Sequence, residues 1–242
     1  MSDGETAPPA LVIRPLAESG LLVEVGAAIE PATTARVMAL TAALDAAVLP
    51  GVLDVVPSYT TVLVGFDPER TEPEKLADEI RRLANDPATA TAPPARLVTI
   101  PVAYGGEWGP DLGDLAAHVG LAPEEVIARH AAGDYVVACM GFAPGFAFLA
   151  GLPPELTTPR LAAPRTRVPA GSVGIGGAQT GVYPLPTPGG WRLIGRTPLR
   201  PFDLQRAEPF LLRPGDRVRF APIAETEFQA LTELDTGGDA GV

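Results

Sequence analysis

Glycine and proline are unusually frequent in one third of this 242-residue chain. Residues 139–220 contain 12 glycines and 13 prolines, about 30% of the segment, against roughly 12% in average proteins. A non-periodic excess of this size is typical of low-complexity disorder. The apolar runs between the glycines and prolines, for example 135–140, 173–175 and 191–195, are each too short for helices. Their turn-punctuated spacing instead predicts an all-β barrel over residues 95–224.

The first 87 residues have a different pattern. Apolar and β-branched runs, helical spacing and turn residues predict a small α+β domain over residues 11–87 in the order ββαββα. The helices begin near Pro31 and near Thr71, which stands in capping-box spacing with Glu74. Residues 1–10 are expected to form a disordered tail, residues 88–94 a linker, and residues 225–242 a C-terminal tail. Within the barrel domain, residues 111–119 and 123–133 are predicted helices that end at Gly120 and Gly133.

Charge divides the chain unevenly. The formal net charge is −11, yet residues 139–220 carry ten arginines, no lysine and only four acidic residues. The acidic majority argues against nucleic-acid binding, because neutralising phosphates requires a basic surface. Arginine presents a planar fork to carboxylates and phosphates, so the basic segment indicates a small anionic ligand or an acidic partner. The alternative is that these arginines cap loops and shield the edges of the barrel.

The rarest residue types exclude several chemistries. Cys139 is the only cysteine and there are two histidines, so an internal disulfide is excluded and a closed zinc site is not expected. The sole lysine, Lys75, lies in a predicted helix, which leaves lysine-dependent catalysis almost no candidate. The start of the chain lacks a secretory pattern, and glycine and proline interrupt the long uncharged stretches. We therefore expect a cytoplasmic protein that does not bind membranes.

Residues 141–149 (GFAPGFAFL) and 168–184 (VPAGSVGIGGAQTGVYP) are the main candidates for a site. In the first segment, Gly145 permits close approach of another group, whereas Phe142 and Phe148 are more simply explained as side chains packed in the barrel core. The second segment fails both the dinucleotide and the Walker A patterns. It is either a glycine-rich hairpin or a site in which the amides of 176–178 form an anion nest and Gln179, Thr180 and Tyr183 provide hydrogen bonds.

His130 is the candidate acid–base residue. It falls in the last turn of a predicted helix, where the helix dipole favours an imidazolium, and that position alone could explain it. A dyad with Cys139 is disfavoured, because a thiolate would be costly inside an apolar strand. His130 is therefore a candidate for either a catalytic acid–base role or a structural one.

Six segments together resemble one family. They are 104–112 (YGGEWGPDL), 141–146 (GFAPGF), 158–165 (TPRLAAPR), 168–184, 187–195 (TPGGWRLIG) and 212–216 (LRPGD). The chain is similar to the B-type subunit of 5-oxoprolinase, a family also called allophanate hydrolase subunit 1, which includes the Kip-type inhibitor of a sporulation histidine kinase. It departs from the family where 144–149 reads PGFAFL in place of the usual PGFPYL.

The resemblance implies a small α/β domain followed by a cyclophilin-like barrel. It also implies two partners, a carboxyltransferase-like C-type subunit and a lactam-utilisation-like A-type subunit, in a complex that opens 5-oxo-L-proline to L-glutamate with ATP hydrolysis. In such a scheme ATP, with Mg²⁺, phosphorylates the amide oxygen to create a leaving group, and no cofactor is held tightly by this chain itself. Other functions compatible with the resemblance are inhibition of a sensor histidine kinase and a role in urea or allophanate carboxylation.

Chemistry and family position together select the candidate site residues. Gly145 and Phe146 are expected to shape a cleft and Arg165 to contact an anion. Polar or anion-binding groups are expected at Gly176, Gly177, Gln179, Thr180 and Tyr183, and no metal site is expected.

Overall fold

The structure, a computed structural model, describes residues 11–90 and 94–237. The chain divides into two compact units, with the boundary between Ala95 and Arg96, and each unit has its own buried core. Part of the expected linker is a 3₁₀ helix, Pro87–Ala90; residues 91–93 and the expected tail at 1–10 lie outside the described ranges. No helix within those ranges is long and apolar enough to cross a bilayer.

The first unit is a four-stranded antiparallel sheet with two helices, in the predicted order ββαββα. Its elements are β1 (Val12–Leu16), β2 (Gly20–Glu24), α1 (Pro31–Ala47), β3 (Val52–Ser58), β4 (Thr61–Phe66) and α2 (Pro73–Ala84). The strands stand in the order β1-β2-β4-β3. The buried face of α1, including Val37 and Leu40, shares one apolar cluster with Val62 and Val64 of β4.

The start of α2 differs from the predicted capping box. Glu72, not Thr71, is the N-cap, and Pro73 is the first helical residue. Proline fixes φ near −65° and needs no hydrogen-bond acceptor at this position, so it determines where the helix begins. The Thr71 N–H is donated to the Asp67 carbonyl at 3.1 Å, which places Thr71 in the preceding turn.

The second unit contains a closed seven-stranded barrel. Its elements are β5 (Leu97–Tyr104), α3 (Leu112–Val119), α4 (Pro123–Ala132), β6 (Tyr135–Met140), β7 (Ala147–Ala150), β8 (Arg165–Val168), β9 (Ser172–Gly176), β10 (Gln179–Val182), β11 (Thr187–Gly189), β12 (Arg192–Arg196), β13 (Arg217–Pro222) and α5 (Glu225–Gly237). Strands stand in the order β6-β13-β5-β12-β9-β10-β7, and pairing of β7 with β6 closes the barrel. Strands β8 and β11 form a separate pair. As predicted, α3 ends at Gly120, which is left-handed with φ +70°.

The segment expected to be a C-terminal tail contains a helix. Phe228 of α5 is buried, and its ring centroid lies 4.4 Å from that of Trp108. This contact joins residues that are remote in sequence, which explains why the local pattern of 225–242 did not reveal the element. Residues 238–242 lie outside the described ranges.

Glycines serve the strands of the barrel as well as its turns. Gly176 is the last residue of β9, and a Cβ atom at this position would lie 2.4 Å from Cδ1 of Trp191. Real Cβ atoms do not approach so closely, so only glycine leaves room for the indole ring. Part of the glycine excess is therefore a packing requirement of the aromatic side chains.

We expect Gly176→Ala to destabilise the protein by about 1–3 kcal/mol, because the added methyl group overpacks a buried ring. Gly113→Ala is the matched control: Gly113 is the second residue of α3, nothing lies within 4 Å of the new Cβ, and the variant should be at least as stable as the wild type. Urea unfolding followed by near-ultraviolet circular dichroism measures both. Equal stability of the two variants would contradict the packing role of Gly176.

Candidate functional site

The loop between β6 and β7 holds an exposed aromatic side chain in a strained turn. The Ala143 N–H is donated to the Gly141 carbonyl at 2.8 Å, and Phe142 between them has φ +68°. A three-residue turn with positive φ at its central residue is rare and strained for an L-amino acid. Phe142 is nevertheless 63% exposed, so the prediction that it lies in the core was wrong. Strain of this kind concentrates at functional sites.

Behind this loop lies a small aromatic cluster. Phe146, Tyr183 and Trp191 are buried together, and Phe148 packs against them, as a core residue should. Phe142 contacts the cluster edge-on, with ring centroids 5.3 Å from Phe146 and 6.4 Å from Tyr183. Edge-to-face geometry is favourable for aromatic pairs. Phe146 thus shapes the site from inside the protein rather than from its surface.

The group that approaches Gly145 closely is another part of the protein. The residue has φ +83°, and a Cβ atom there would lie 2.6 Å from Cβ of Phe202. Glycine is required both by the backbone conformation and by this contact. Gly145 therefore joins the loop to the segment around Phe202.

Arg165 is held by a buried carboxylate. Its Nη2 donates to Oδ1 of Asp111 at 2.6 Å, and Oδ2 of Asp111 accepts the Leu193 N–H at 2.7 Å. The Arg165 side chain as a whole remains 30% exposed, but its Nη1 is buried and has no partner among the described residues. Asp111 lies in the segment 104–112, yet sequence reasoning did not select it, because its importance arises only when β8 and β12 are brought together.

Tyr183 lies next to this ion pair. Burial raises the pKa of Tyr183, while a hydrogen bond with the Trp191 backbone and the guanidinium groups of Arg160 and Arg165 lower it to a smaller extent. Tyr183 therefore remains a neutral phenol beside two cations. Among the predicted site residues, Tyr183 contacts Phe146 at a ring-centroid distance of 5.3 Å, and it lies near enough to Arg165 for the guanidinium to lower its pKa.

One amide of the predicted anion nest, that of Gly177, is already paired within the protein. The Gly177 N–H is donated to the Thr158 carbonyl at 2.8 Å, and the Gly177 carbonyl accepts the Thr158 N–H at 3.2 Å. Gly176 and Gln179 face each other as a cross-strand pair at the turn between β9 and β10. The Gly177 amide is thus already used by the fold, because a buried backbone group must find a partner.

His130 and Thr180 lie inside the barrel in one hydrogen-bond chain. Thr180 Oγ1 donates to the Gly174 carbonyl at 3.0 Å and has no second proton, so the 2.9 Å contact with His130 Nε2 is donated by the histidine. Nδ1 then accepts the Tyr104 hydroxyl at 2.7 Å. The chain is directional from Tyr104 to Gly174, and both ring nitrogens are occupied without Cys139.

Burial determines the charge of His130. Burial lowers the pKa of His130 to about 3, and the ring stacks on Phe220 at 4.5 Å. The prediction of an imidazolium at this position is therefore wrong, because the cost of desolvating the charged ring exceeds the stabilisation of about 0.3–2 kcal/mol that a helix dipole provides. A fully buried, neutral imidazole with both ring nitrogens paired favours the structural alternative for His130 over the acid–base one. No group of three or more His, Cys, Asp and Glu side chains in the described ranges could hold a metal ion.

We expect His130 to make the folded state acid-sensitive. Its folded pKa of about 3 lies below the ordinary 6.5, so the unfolded chain binds the proton first as the pH falls. The contribution of His130 to the free energy of unfolding is fully present above about pH 6.5 and is lost as the pH falls towards 3. Between pH 7 and pH 5 the wild type should lose about 2 kcal/mol more than His130→Gln, as measured by urea unfolding. Parallel losses in both proteins would contradict the neutral buried imidazole.

The strain at Phe142 can be measured with a matched pair of variants. Phe142→Ala and Phe142→Gly remove the same ring contacts, but only glycine adopts φ +68° without a steric penalty. The glycine variant should therefore be more stable than the alanine variant by roughly 1 kcal/mol. If the alanine variant is equally or more stable, the turn is not strained at this residue.

Comparisons with known proteins agree with this architecture. The family described as "Carboxyltransferase domain, subdomain C and D" matches residues 11–212. A solved structure, that of TTHA0988, has a TM-score of 0.75 and 41% identity, and covers 88% of this chain, which spans 40% of that longer chain.

The chain aligns with two curated relatives over most of their length. The B-type 5-oxoprolinase subunit of Bacillus subtilis (strain 168) is 41% identical over 231 residues, covering 91% of this chain and 96% of the relative. The B-type 5-oxoprolinase subunit of Escherichia coli O157:H7 is 52% identical over 180 residues, covering 73% of this chain and 81% of the relative. The chain belongs to the family of B-type 5-oxoprolinase subunits, and it matches the domain family described as carboxyltransferase domain, subdomain C and D.

Proposed function

We propose that this chain is a subunit of a heteromeric, ATP-dependent 5-oxoprolinase, which hydrolyses 5-oxo-L-proline to L-glutamate. One observation carries the proposal: two curated proteins of that name match 73% and 91% of this chain at 52% and 41% identity. The partners would be a C-type subunit with a carboxyltransferase fold and an A-type subunit similar to lactam-utilisation proteins. ATP, with Mg²⁺, would act at the level of the complex in the cytoplasm.

The barrel is proposed to be cyclophilin-like and to form the functional domain of this subunit. Its extent would be residues 95–224, with residues 11–87 as the accompanying α+β domain. Support comes from the closed ring of seven strands and from the separate apolar clusters of the two units.

Arg165 is the proposed contact for the anionic group of the substrate. Its carboxylate partner, Asp111, engages Nη2 and holds the guanidinium in place, while the side chain keeps 30% of its surface exposed. A guanidinium oriented in advance binds a second oxyanion with little further loss of freedom. Tyr183 and Phe146 would form the inner wall of this cleft and Phe142 its rim.

Reconstitution tests the proposal. Co-purified with its A-type and C-type partners, the wild type should release glutamate from 5-oxo-L-proline only when ATP is present. Arg165→Ala should reduce kcat/KM by roughly 10- to 100-fold, since it removes a charge-assisted hydrogen bond worth about 1.5–3 kcal/mol. Arg167→Ala is the matched control, because Arg167 is an exposed residue on the same strand.

Loss of folding must be separated from loss of binding, because Arg165→Ala leaves Asp111 buried and unpaired. Thermal unfolding of each purified protein provides this control, and Arg165→Lys retains the positive charge. Full activity of folded Arg165→Ala would remove Arg165 from the site. Absence of ATP-dependent glutamate release by the complete complex would refute the function, and incorporation of labelled bicarbonate would favour a carboxylation system.

A further inference from the structure

Two touching loops of the barrel unit expose large apolar side chains. A Cβ atom on Gly145 would lie 2.6 Å from Cβ of Phe202, so the loop between β6 and β7 contacts the segment around Phe202. Phe202 pairs with Phe210 in an isolated antiparallel bridge, and their ring centroids lie 5.1 Å apart. Phe142 is exposed on the first loop, and Leu204 (75%) and Phe210 (44%) are exposed on the second. Residues 141–146 and 201–211 together are termed the two-loop surface.

Hydrogen bonds and an ion pair fix the shape of the second loop. The Asp203 N–H is donated to the Pro209 carbonyl at 2.9 Å, which closes the loop. Oδ1 of Asp203 accepts the Gln205 N–H at 2.9 Å, and its Oδ2 lies 3.7 Å from Nε of Arg206. These bonds surround Leu204 in the sequence. A side chain on a loop that is already ordered loses little further freedom when a partner covers it.

The first loop also holds its exposed ring in a fixed position. Phe142 has φ +68°, and strain of this kind persists only where the surrounding structure enforces it. The edge contact with the buried ring of Phe146, at a centroid distance of 5.3 Å, determines the direction of the Phe142 side chain. Single exposed apolar residues are ordinary, but a group of them on touching loops is typical of interaction sites, where aromatic residues are enriched.

Positive charge is in excess around these loops. Residues 139–220 contain ten arginines and four acidic residues, and all four acidic side chains are ion-paired with arginines. Burial raises the pKa of Tyr183, and the guanidinium groups of Arg160 and Arg165 are near enough to oppose that shift. The Tyr183 ring centroid lies 6.4 Å from that of Phe142. The exposed aromatic ring therefore lies close to uncompensated positive charge.

This combination selects among the possible occupants of the surface. A second copy of the chain, bound by a two-fold contact, would bring the same arginines together, and like charges across an interface are costly. An anionic bilayer would attract the arginines but repel the whole chain, whose formal net charge is −11. A different protein with apolar side chains surrounded by carboxylates matches both the exposed rings and the arginines.

We propose that the two-loop surface docks another protein subunit, one whose contact area has apolar side chains surrounded by carboxylates. Phe142 and Leu204 would be the anchors that this partner buries. The proposal rests on the proposed function, because that function requires a complex of several subunits. It adds the place on this chain where one of those subunits binds.

Binding, not turnover, tests the proposal, because Phe142 also borders the proposed substrate cleft. The full chain is titrated calorimetrically with separately purified A-type and C-type subunits. The subunit that binds the wild type should bind Leu204→Ser and Phe142→Ser about tenfold or more weakly, as expected for interface anchors. Ile29→Ser is the matched control, because Ile29 is an apolar residue of the first unit with similar exposure, 58%, and this variant should bind like the wild type.

Leu204→Ser keeps the test independent of folding, because a side chain that is 75% exposed contributes little to the core, and thermal unfolding of the variant checks this. The association rate of the wild type should fall several-fold as the salt concentration is raised from about 50 to about 500 mM, since carboxylates and arginines attract each other. An association rate that does not change with salt would contradict the acidic surroundings of the partner's contact area.

The remaining outcomes separate this proposal from the proposed function. Equal affinity of Leu204→Ser, Phe142→Ser and wild type for the subunit would overturn the docking surface and leave the complex intact. Failure of both subunits to bind the wild type would refute the complex and the docking surface together. Self-association in sedimentation, or binding to phosphatidylserine vesicles, that Leu204→Ser abolishes would assign the surface to a second copy or to a membrane, and either result would overturn the proposal.

Discussion

The buried carboxylate of Asp111 connects three parts of the barrel unit. It accepts hydrogen bonds from Arg165 of β8 and from the Leu193 backbone of β12, and the Asp111 N–H is donated to the Leu193 carbonyl just before α3 begins. A charge removed from water is tolerated only when it is fully paired. Its partners must therefore adopt fixed positions, and the orientation of Arg165, the partly exposed cation of the candidate site, follows from this requirement.

A second constraint is the space needed by aromatic rings. Gly176 leaves room for Trp191, and Gly189 leaves room for Tyr183, whose hydroxyl would lie 2.5 Å from a Cβ atom there. With the cluster packed in this way, the loop above it is closed by a strained turn, and Phe142 is exposed. Dense packing below and strain above thus meet at the loop that carries Phe142.

Local features of the sequence were reliable guides to the elements. The two hairpins of the first unit, the helix beginning at Pro31 and the stop at Gly120 all depend on neighbouring residues, and all appear in the structure. The exceptions have definite causes. Pro73 overrode the capping box at Thr71, and the contact of Phe228 with Trp108 accompanies a helix in a segment expected to be a tail.

The amino-acid sequence by itself determined the class of each region and the likeness to a single family, because periodicity, turn residues and motifs are local. Only the tertiary structure decided the state of particular groups. His130 is neutral because the barrel buries it between Tyr104 and Thr180, and the Gly177 amide is occupied by Thr158. Desolvation and hydrogen-bond pairing depend on residues that are distant along the chain, and these are brought together only by folding.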